Sequence, residues 1–321
     1  MRSSGTAMCL ASGAAFGAMA VFGKLAYDEG ATVGTLLAVR FLLAAALFWA
    51  LVLTGAAARE IRALRGCDIG IGLALGACGY AMQSGCYFAA LERIDASLLS
   101  LLLYTFPAIV AAAAVALGRE RMDWRRLVAL GLASGGLVLV VAGAGAGALD
   151  PLGAALGLGA ALVYSTYILV SDRIVGRVTP QVLSALVCTG AAAALTVGSA
   201  LLGQLRPGEL TAAGWGWLAC LAVVSTVAAI SLLFAGLRRV GPTTASILST
   251  VEPLVTVLLA FLVFGEKLGA IQLAGGALVL AAMLVLNAPR APQGRARLGA
   301  LAAGVRSRFA QPEQAMERTT A

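Results

Sequence analysis

Ten runs of mostly apolar residues follow one another along the chain, each near the roughly 20 residues that a helix needs to cross a bilayer. The short connections between the runs carry most of the charged and turn-forming residues. The predicted spans are 8–27, 33–54, 68–90, 96–117, 127–145, 153–171, 181–203, 214–236, 243–264 and 269–287. This pattern predicts an all-α polytopic membrane protein with ten transmembrane helices.

The composition excludes most soluble functions. Of the 321 residues, 60% are hydrophobic and 12% are charged, whereas soluble domains are about half apolar and about a quarter charged. Histidine is absent and the six cysteines lie in or beside apolar segments, as is typical of packing residues. We therefore expect no enzymatic activity, no metal and no cofactor. The net charge of +8 forms no basic stripe on a soluble domain, so no nucleic-acid partner is expected.

Basic residues are sorted to one side of the predicted spans. If the N-terminus is cytoplasmic, the outer connections hold only Arg93, Arg206 and Lys267. The positive-inside rule then predicts a multi-pass protein of the inner (plasma) membrane with both termini in the cytoplasm. The run Ala18-Met19-Ala20 resembles a signal-peptidase site, but we expect the first span to be retained because an internal repeat begins with it.

The chain repeats itself at a shift of 146 residues. Phe88–Leu91 aligns with Phe234–Leu237, and Pro107 aligns with Pro253. Because each half has five predicted helices, an odd number, the halves would enter the membrane in opposite senses. The sequence therefore predicts two inverted-topology five-helix repeats, a recurring design in transporters. A duplication that only builds a scaffold is the alternative.

The repeat sets the predicted domain boundaries. We assign 5–145 to the first five-helix repeat and 150–287 to the second. The remaining 288–321 form a basic tail with three prolines. An interfacial amphipathic helix and a solvated, disordered tail remain equally open for it.

Several features in a fixed order carry a family resemblance. Lys24 ends the first span, Arg40 lies in Val39-Arg40-Phe41, and Glu252-Pro253 lies in the ninth span. Leu-Gly or Phe-Gly closely precedes the loop acids Glu120 and Glu266. With these features the chain resembles the drug/metabolite transporter superfamily, in its EamA-like branch of ten-span carriers.

The resemblance covers about 5–287 and implies transport of small organic solutes, often export, by alternating access. It implies no particular substrate. The chain departs from the pattern at Thr105-Phe106-Pro107, where the first half has no acid to match Glu252, and at Arg119, which stands before Glu120.

Three charged residues lie inside predicted spans, where a charge needs a partner, a wet cavity or a short reach to the interface. Lys24 is near a span end, so its side chain can extend to the membrane interface. The alternative is a functional role for Lys24. Three roles are open for Arg40: an ion pair with an acid, a structural contact that joins helices, or binding of an anionic substrate. Glu252, near the midplane, either caps backbone freed by Pro253 or is a protonatable or cation-pairing group in the pathway.

Polar and aromatic side chains recur at helical spacing on several spans, and such faces usually turn inward in lipid. We predict that they line a substrate cavity; simple interhelical hydrogen bonding is the alternative. The predicted cavity residues are Tyr80, Gln83, Ser84, Tyr87, Tyr104, Tyr164, Tyr167 and Glu252. The matched prolines Pro107 and Pro253 are predicted to be flex points for gating, or else static kinks.

The leading functional prediction is a secondary transporter for a small organic solute such as a metabolite, amino acid or drug-like compound, with efflux the favoured direction. No nucleotide-binding loop occurs, so the expected partners are a small-molecule substrate, the lipid bilayer and a coupling proton or other ion. The alternatives are a sugar-phosphate or nucleotide-sugar exchanger and a membrane scaffold or channel. Small-xxx-small glycine pairs such as Gly72/Gly76 and Gly131/Gly135 indicate helix packing and leave a homodimer open.

Overall fold

A computed structural model of the chain describes residues 2–55, 58–61, 64–119, 122–143, 150–171 and 178–287. These residues are almost entirely helical, and they contain no strand. Ten long helical segments follow in order: α1 Ser3–Asp28, α2 Val33–Thr54, α3 66–91, α4 Ala96–Ala116, α5 Trp124–Gly143, α6 Pro151–Ser171, α7 Pro180–Leu201, α8 Ala212–Val240, α9 Thr244–Phe264 and α10 Ala270–Asn287. The predicted tail, 288–321, lies outside the described residues.

The predicted number of ten spans is not fully matched. Among the described residues, nine of these segments are long and apolar enough to cross a membrane, and α3 is not one of them. The α3 segment is helical throughout but carries Tyr80, Gln83 and Ser84 among its glycines. The polar face that predicts a cavity therefore also makes this helix less apolar than the others.

Two π-helical turns interrupt the bundle at equivalent places. One spans Leu75–Tyr80 in α3 and the other Val223–Ala228 in α8, which begins 148 residues later. A π-turn inserts one residue into an α-helix and often marks a functional position. The helices α4 and α9 are likewise broken, between Leu103 and Phe106 and between Leu248 and Val251. The repeat therefore extends to the irregularities of its helices.

Helix packing has the symmetry expected of two repeats. The helix α2 packs on its own counterpart α7, α5 packs on α10, and α4 packs on α9. The helix α1 packs on α8, and the equivalent pair α6 and α3 also pack together. Exchanging the two halves thus converts each pairing into itself or into another observed pairing. The chain is built from two interlocked repeats whose helices meet across the boundary between halves.

The predicted connections contain local stop and start signals. Gly265 ends α9 with φ at +68°, a conformation that glycine adopts without steric cost. Asp150 begins α6 by accepting hydrogen bonds from the backbone N–H groups of Leu152 and Gly153. The hydrogen bond from Gly153 contributes most to holding the pKa of Asp150 below its ordinary value. The bond from Leu152 and the nearby Arg93 act in the same direction.

Candidate functional site

A cavity of about 350 Å³ lies inside the bundle and is lined by both repeats. All eight side chains predicted for a cavity lie on its wall, namely Tyr80, Gln83, Ser84, Tyr87, Tyr104, Tyr164, Tyr167 and Glu252. Arg40 lies on the same wall. The helices α3, α4, α6 and α9 thus turn their polar faces toward one space, and a role of that space in binding stays a prediction.

Aromatic rings form a continuous chain along the cavity. Tyr80 lies 5.4 Å from Phe41 and 5.8 Å from Tyr167, measured between ring centroids. From Tyr167 the chain continues through Tyr164 and Phe106 to Tyr104, with spacings of 6.3, 4.8 and 5.9 Å. Rings at these distances attract each other and form a stiff apolar surface. The wall suits a solute with an apolar or aromatic body.

Glu252 provides a carboxylate in this largely apolar wall. The Tyr104 hydroxyl lies 2.9 Å from Glu252 Oε2 and 2.9 Å from the backbone carbonyl oxygen of Ser249. A phenol has one O–H hydrogen, so Tyr104 donates fully to only one of these acceptors at a time. Both contacts are complete when Glu252 is protonated and donates to Tyr104. The geometry therefore accommodates a proton on Glu252.

Arg40 is buried in α2, with 1% of its surface exposed. Its Nε donates to Thr226 Oγ1 at 2.9 Å and its Nη2 contacts Met19 Sδ at 3.2 Å. Its guanidinium carbon lies 4.9 Å and 5.3 Å from the ring centroids of Phe41 and Phe88. Within the described part of the chain, no carboxylate lies within ion-pair distance of Arg40, so the predicted alternative of an acidic partner is not seen there.

The π-turn of α8 positions the hydroxyl that holds Arg40. Thr226 belongs to this turn, and its Oγ1 donates to the carbonyl oxygen of Leu221, five residues earlier. The oxygen of that hydroxyl is then directed to accept from Arg40. Thr226 is the counterpart of Tyr80 at the shift of 146 residues. The same irregular turn therefore presents a cavity ring in one half and an anchor for Arg40 in the other.

Lys24 lies away from the cavity wall, at the far end of α1. Its Nζ lies 2.7 Å from Glu266 Oε1, and Asp95 is a weaker partner at 3.8 Å. Glu266 also accepts hydrogen bonds from the backbone N–H groups of Ala96 and Ser97 and from the Ser97 hydroxyl. We name Lys24, Ala96, Ser97 and Glu266 the closing cluster. It joins the ends of α1 and α9 to the start of α4.

Electrostatics favour an ionised Glu266. Burial alone would raise the pKa of Glu266, but the hydrogen bonds from Lys24 and Ser97 outweigh it and hold this pKa below its ordinary value. The sequence marked Glu266 only as a loop residue, and its capping role was missed. The sequence Phe264-Gly265-Glu266 did contain a signal for this role. A glycine often ends a helix and turns the chain, so the residue after it points away from the face that the helix pattern would give it.

The remaining predicted residues are also placed. Pro107 and Pro253 follow the breaks in α4 and α9, each within the first turn of the resumed helix, and neither lines the cavity. Gln83 and Ser84 are buried neighbours whose side chains share a hydrogen bond. Phe106, Ser246 and Cys188 line the cavity as well, although the sequence did not single them out. Apolar and small side chains like these give no periodic polar signal.

Comparison with known proteins decides the family. The model of the EamA-like transporter family matches the chain twice, at residues 3–142 and 151–288. The chain belongs to the EamA-like transporter family. As a member of a transporter family it is a membrane transporter and not an enzyme.

Relatives agree with this membership. An uncharacterized transporter of Bacillus subtilis, YcbK, is 27% identical over 285 residues, covering 84% of this chain and 88% of that protein. An uncharacterized transporter of Archaeoglobus fulgidus is 29% identical over 204 residues, covering 62% of this chain and 70% of that one. A crystal structure shares the fold with a TM-score of 0.62 at 19% identity, covering 89% of this chain and 97% of its own.

Proposed function

We propose that this transporter is a secondary carrier that moves a small organic solute by alternating access, in the direction of efflux, at the expense of a proton gradient. The observation that carries the proposal is Glu252, a carboxylate that lines a cavity between two repeats and hydrogen-bonds Tyr104 of the opposite repeat. A group that both halves contact is suited to link its protonation to their relative movement.

The arrangement of the cavity and the closing cluster supports alternating access. Cavity residues on α9, such as Ser246 and Glu252, lie in the first half of that helix, whereas Glu266 follows its end. No member of the closing cluster lines the cavity. Along α9 the closing cluster therefore lies nearer one end of the bundle than the cavity does, as expected for a site that is closed on one side.

The sorting of basic residues extends the proposal to location. We place the N-terminus and the C-terminus in the cytoplasm and the carrier in the inner membrane. The closing cluster is then on the outer side, and the cavity lies between it and the cytoplasm. The two halves, 5–145 and 150–287, would be the bodies that move against each other, with the breaks before Pro107 and Pro253 as flex points.

A sugar-phosphate or nucleotide-sugar exchanger fits the cavity less well. A polar sugar would lie against a wall made largely of aromatic and apolar side chains, and among the described residues Arg40 is the basic side chain on that wall. A channel would show flux that neither saturates nor exchanges, which makes counterflow the discriminating observation.

Transport in proteoliposomes tests the proposal with a solute found by a resistance screen of cells that overproduce the protein. We expect saturable flux with counterflow, and we expect a pH gradient to drive it. Glu252→Gln should abolish the pH-driven part and leave counterflow measurable, since the variant keeps the shape of the side chain. Glu209→Gln, at an exposed carboxylate outside the cavity, is the matched control. Unchanged pH-driven flux in Glu252→Gln would refute proton coupling, and absent counterflow in the unmodified protein would refute the carrier.

A further inference from the structure

Arg40 is a buried cation, and its contacts among the described residues are all with neutral groups. The hydroxyl of Thr226, the thioether of Met19 and the ring faces of Phe41 and Phe88 surround it. Tyr80 lies on the same cavity wall and packs on Phe41. A cation removed from water is costly unless an opposite charge compensates it. The described residues supply dipoles and ring faces, and they supply no anion.

The position of Arg40 makes the cavity the place from which an anion can come. Arg40 lines the cavity together with Tyr80 and Tyr87. A guanidinium presents five N–H donors in a planar fork, more than the contacts with Thr226 and Met19 use. Carboxylates and phosphates match this fork with two parallel hydrogen bonds.

We propose that Arg40 binds an oxyanion group of the transported solute, with the apolar body of the solute resting on the tyrosine wall. The proposal rests on the proposed function, because it takes the cavity to be the transport site. It adds the chemical class of the solute: an organic molecule with a carboxylate or a phosphate at one end. When the solute leaves, Thr226 and the aromatic rings hold the guanidinium in place for the next one.

The contacts that fix Arg40 favour an anchor for a ligand over a lock between helices. Among the described residues, one hydrogen bond, to Thr226, ties Arg40 to α8. Phe41, the next residue on the same helix as Arg40, provides one of the two ring contacts seen there. A cation that serves only to join helices would be expected to meet a carboxylate, as Lys24 does at Glu266. Arginine also differs from lysine at such a site, because a lysine cannot present the fork.

Binding to the purified protein in detergent tests this without requiring transport. The probes are N-acetylphenylalanine, which carries a carboxylate, and its neutral amide of the same shape, with phenylalaninamide as the cationic arm. We expect the carboxylate to bind at least about tenfold more tightly than the amide, which corresponds to about 1.4 kcal/mol. Phenyl phosphate distinguishes a phosphate-selective site from a carboxylate-selective one, since the better anion identifies the natural group.

Variants separate recognition from folding. Arg40→Gln should bring the affinity ratio between the carboxylate and the amide close to one, and Arg40→Lys should lower it although the charge is kept. If the role of Arg40 is purely structural, these two substitutions should lower thermal stability and leave the affinity ratio unchanged. Thr226→Val, which keeps Arg40 and removes its anchor, should reduce the ratio in part.

The unmodified protein alone can overturn the proposal, so it does not depend on whether the Arg40 variants fold. The proposal is refuted if neither anionic probe binds more tightly than the neutral amide, or if the cationic probe binds more tightly than both anions. Counterflow of the solute from the resistance screen would still establish the carrier in that case. The two proposals can therefore fail separately.

Discussion

Lys24 and Glu266 form an ion pair across 242 residues of sequence, with 2.7 Å between Nζ and Oε1. The Glu266 side chain is 6% exposed, and its second oxygen caps the start of α4 through Ser97. One carboxylate from the loop after α9 therefore holds the ends of three helices that belong to both repeats. A contact of this kind stabilises one arrangement of the halves and must separate if the halves move apart at this end.

Replacing Glu266 with Gln should loosen this end of the bundle. The change removes the opposite charge of Lys24 and weakens the cap on Ala96 and Ser97, which should lower stability by about 1–3 kcal/mol. Labelling of a cysteine introduced near the closing cluster should become faster. Asp95→Asn is the matched control, because Asp95 is 64% exposed and lies 3.8 Å from Lys24. Equal labelling rates in Glu266→Gln and the unmodified protein would contradict a closing role.

The closing cluster should persist under mild acid. The folded-state pKa of Glu266 is lowered, so its stabilising contribution is fully present above the ordinary carboxyl pKa of about 4.3. The contribution is lost only as the pH falls below that value and through the lowered pKa. Cysteine labelling near the cluster should therefore be constant between about pH 5 and 8 and rise in stronger acid. A rise already at about pH 6 would show that Glu266 does not control this end.

Removal of one phenol hydroxyl should test the contact between Tyr104 and Glu252. Tyr104→Phe keeps the ring that packs 5.9 Å from Phe106 but leaves Glu252 without its hydrogen-bond partner. We expect a clear loss of pH-driven flux with little change in thermal stability. Tyr27→Phe is the control, because Tyr27 also donates one hydrogen bond, to the Phe88 carbonyl, without lining the cavity. Similar flux in the two variants would contradict a role of Tyr104 in coupling.

Gly76 and Gly131 each belong to a glycine pair of the same spacing, Gly72/Gly76 and Gly131/Gly135. We expect these two glycines to respond differently to replacement by alanine. A Cβ on Gly76 would lie 2.0 Å from the carbonyl oxygen of Val187 on α7, whereas a Cβ on Gly131 would have no atom within 4 Å. Gly76→Ala should therefore lower stability by about 1–3 kcal/mol. Gly131→Ala should be neutral or stabilising by up to about 1 kcal/mol, because alanine favours helix. Thermal unfolding in detergent compares them, and equal shifts would contradict the close approach of α3 and α7.

These glycines also show where prediction from sequence ended. The small-xxx-small spacing predicted close packing for Gly72/Gly76 and Gly131/Gly135 alike. The first pair meets α7, whereas the second faces open space. Spacing places two residues on one face of a helix, but it contains no information about which neighbour that face meets.

The residues of the cavity wall were the most predictable part of the site. Tyr80 and Gln83 share one helical face, and a polar face in an apolar helix turns away from lipid because its groups need partners. Glu252 was predictable for the same reason. The alignment of Pro107 with Pro253 likewise indicated the internal repeat, which the family comparison confirms.

The sequence by itself determined the helical segments and the two repeats. Membrane helices satisfy their backbone hydrogen bonds within each segment, so local apolar composition is sufficient to mark them. Only the tertiary structure decided the partners of the charges. Lys24 meets Glu266, and Arg40 meets Thr226 across 186 residues, because helices of opposite halves pack together. Such contacts depend on the pairing of whole helix faces, which no local pattern specifies.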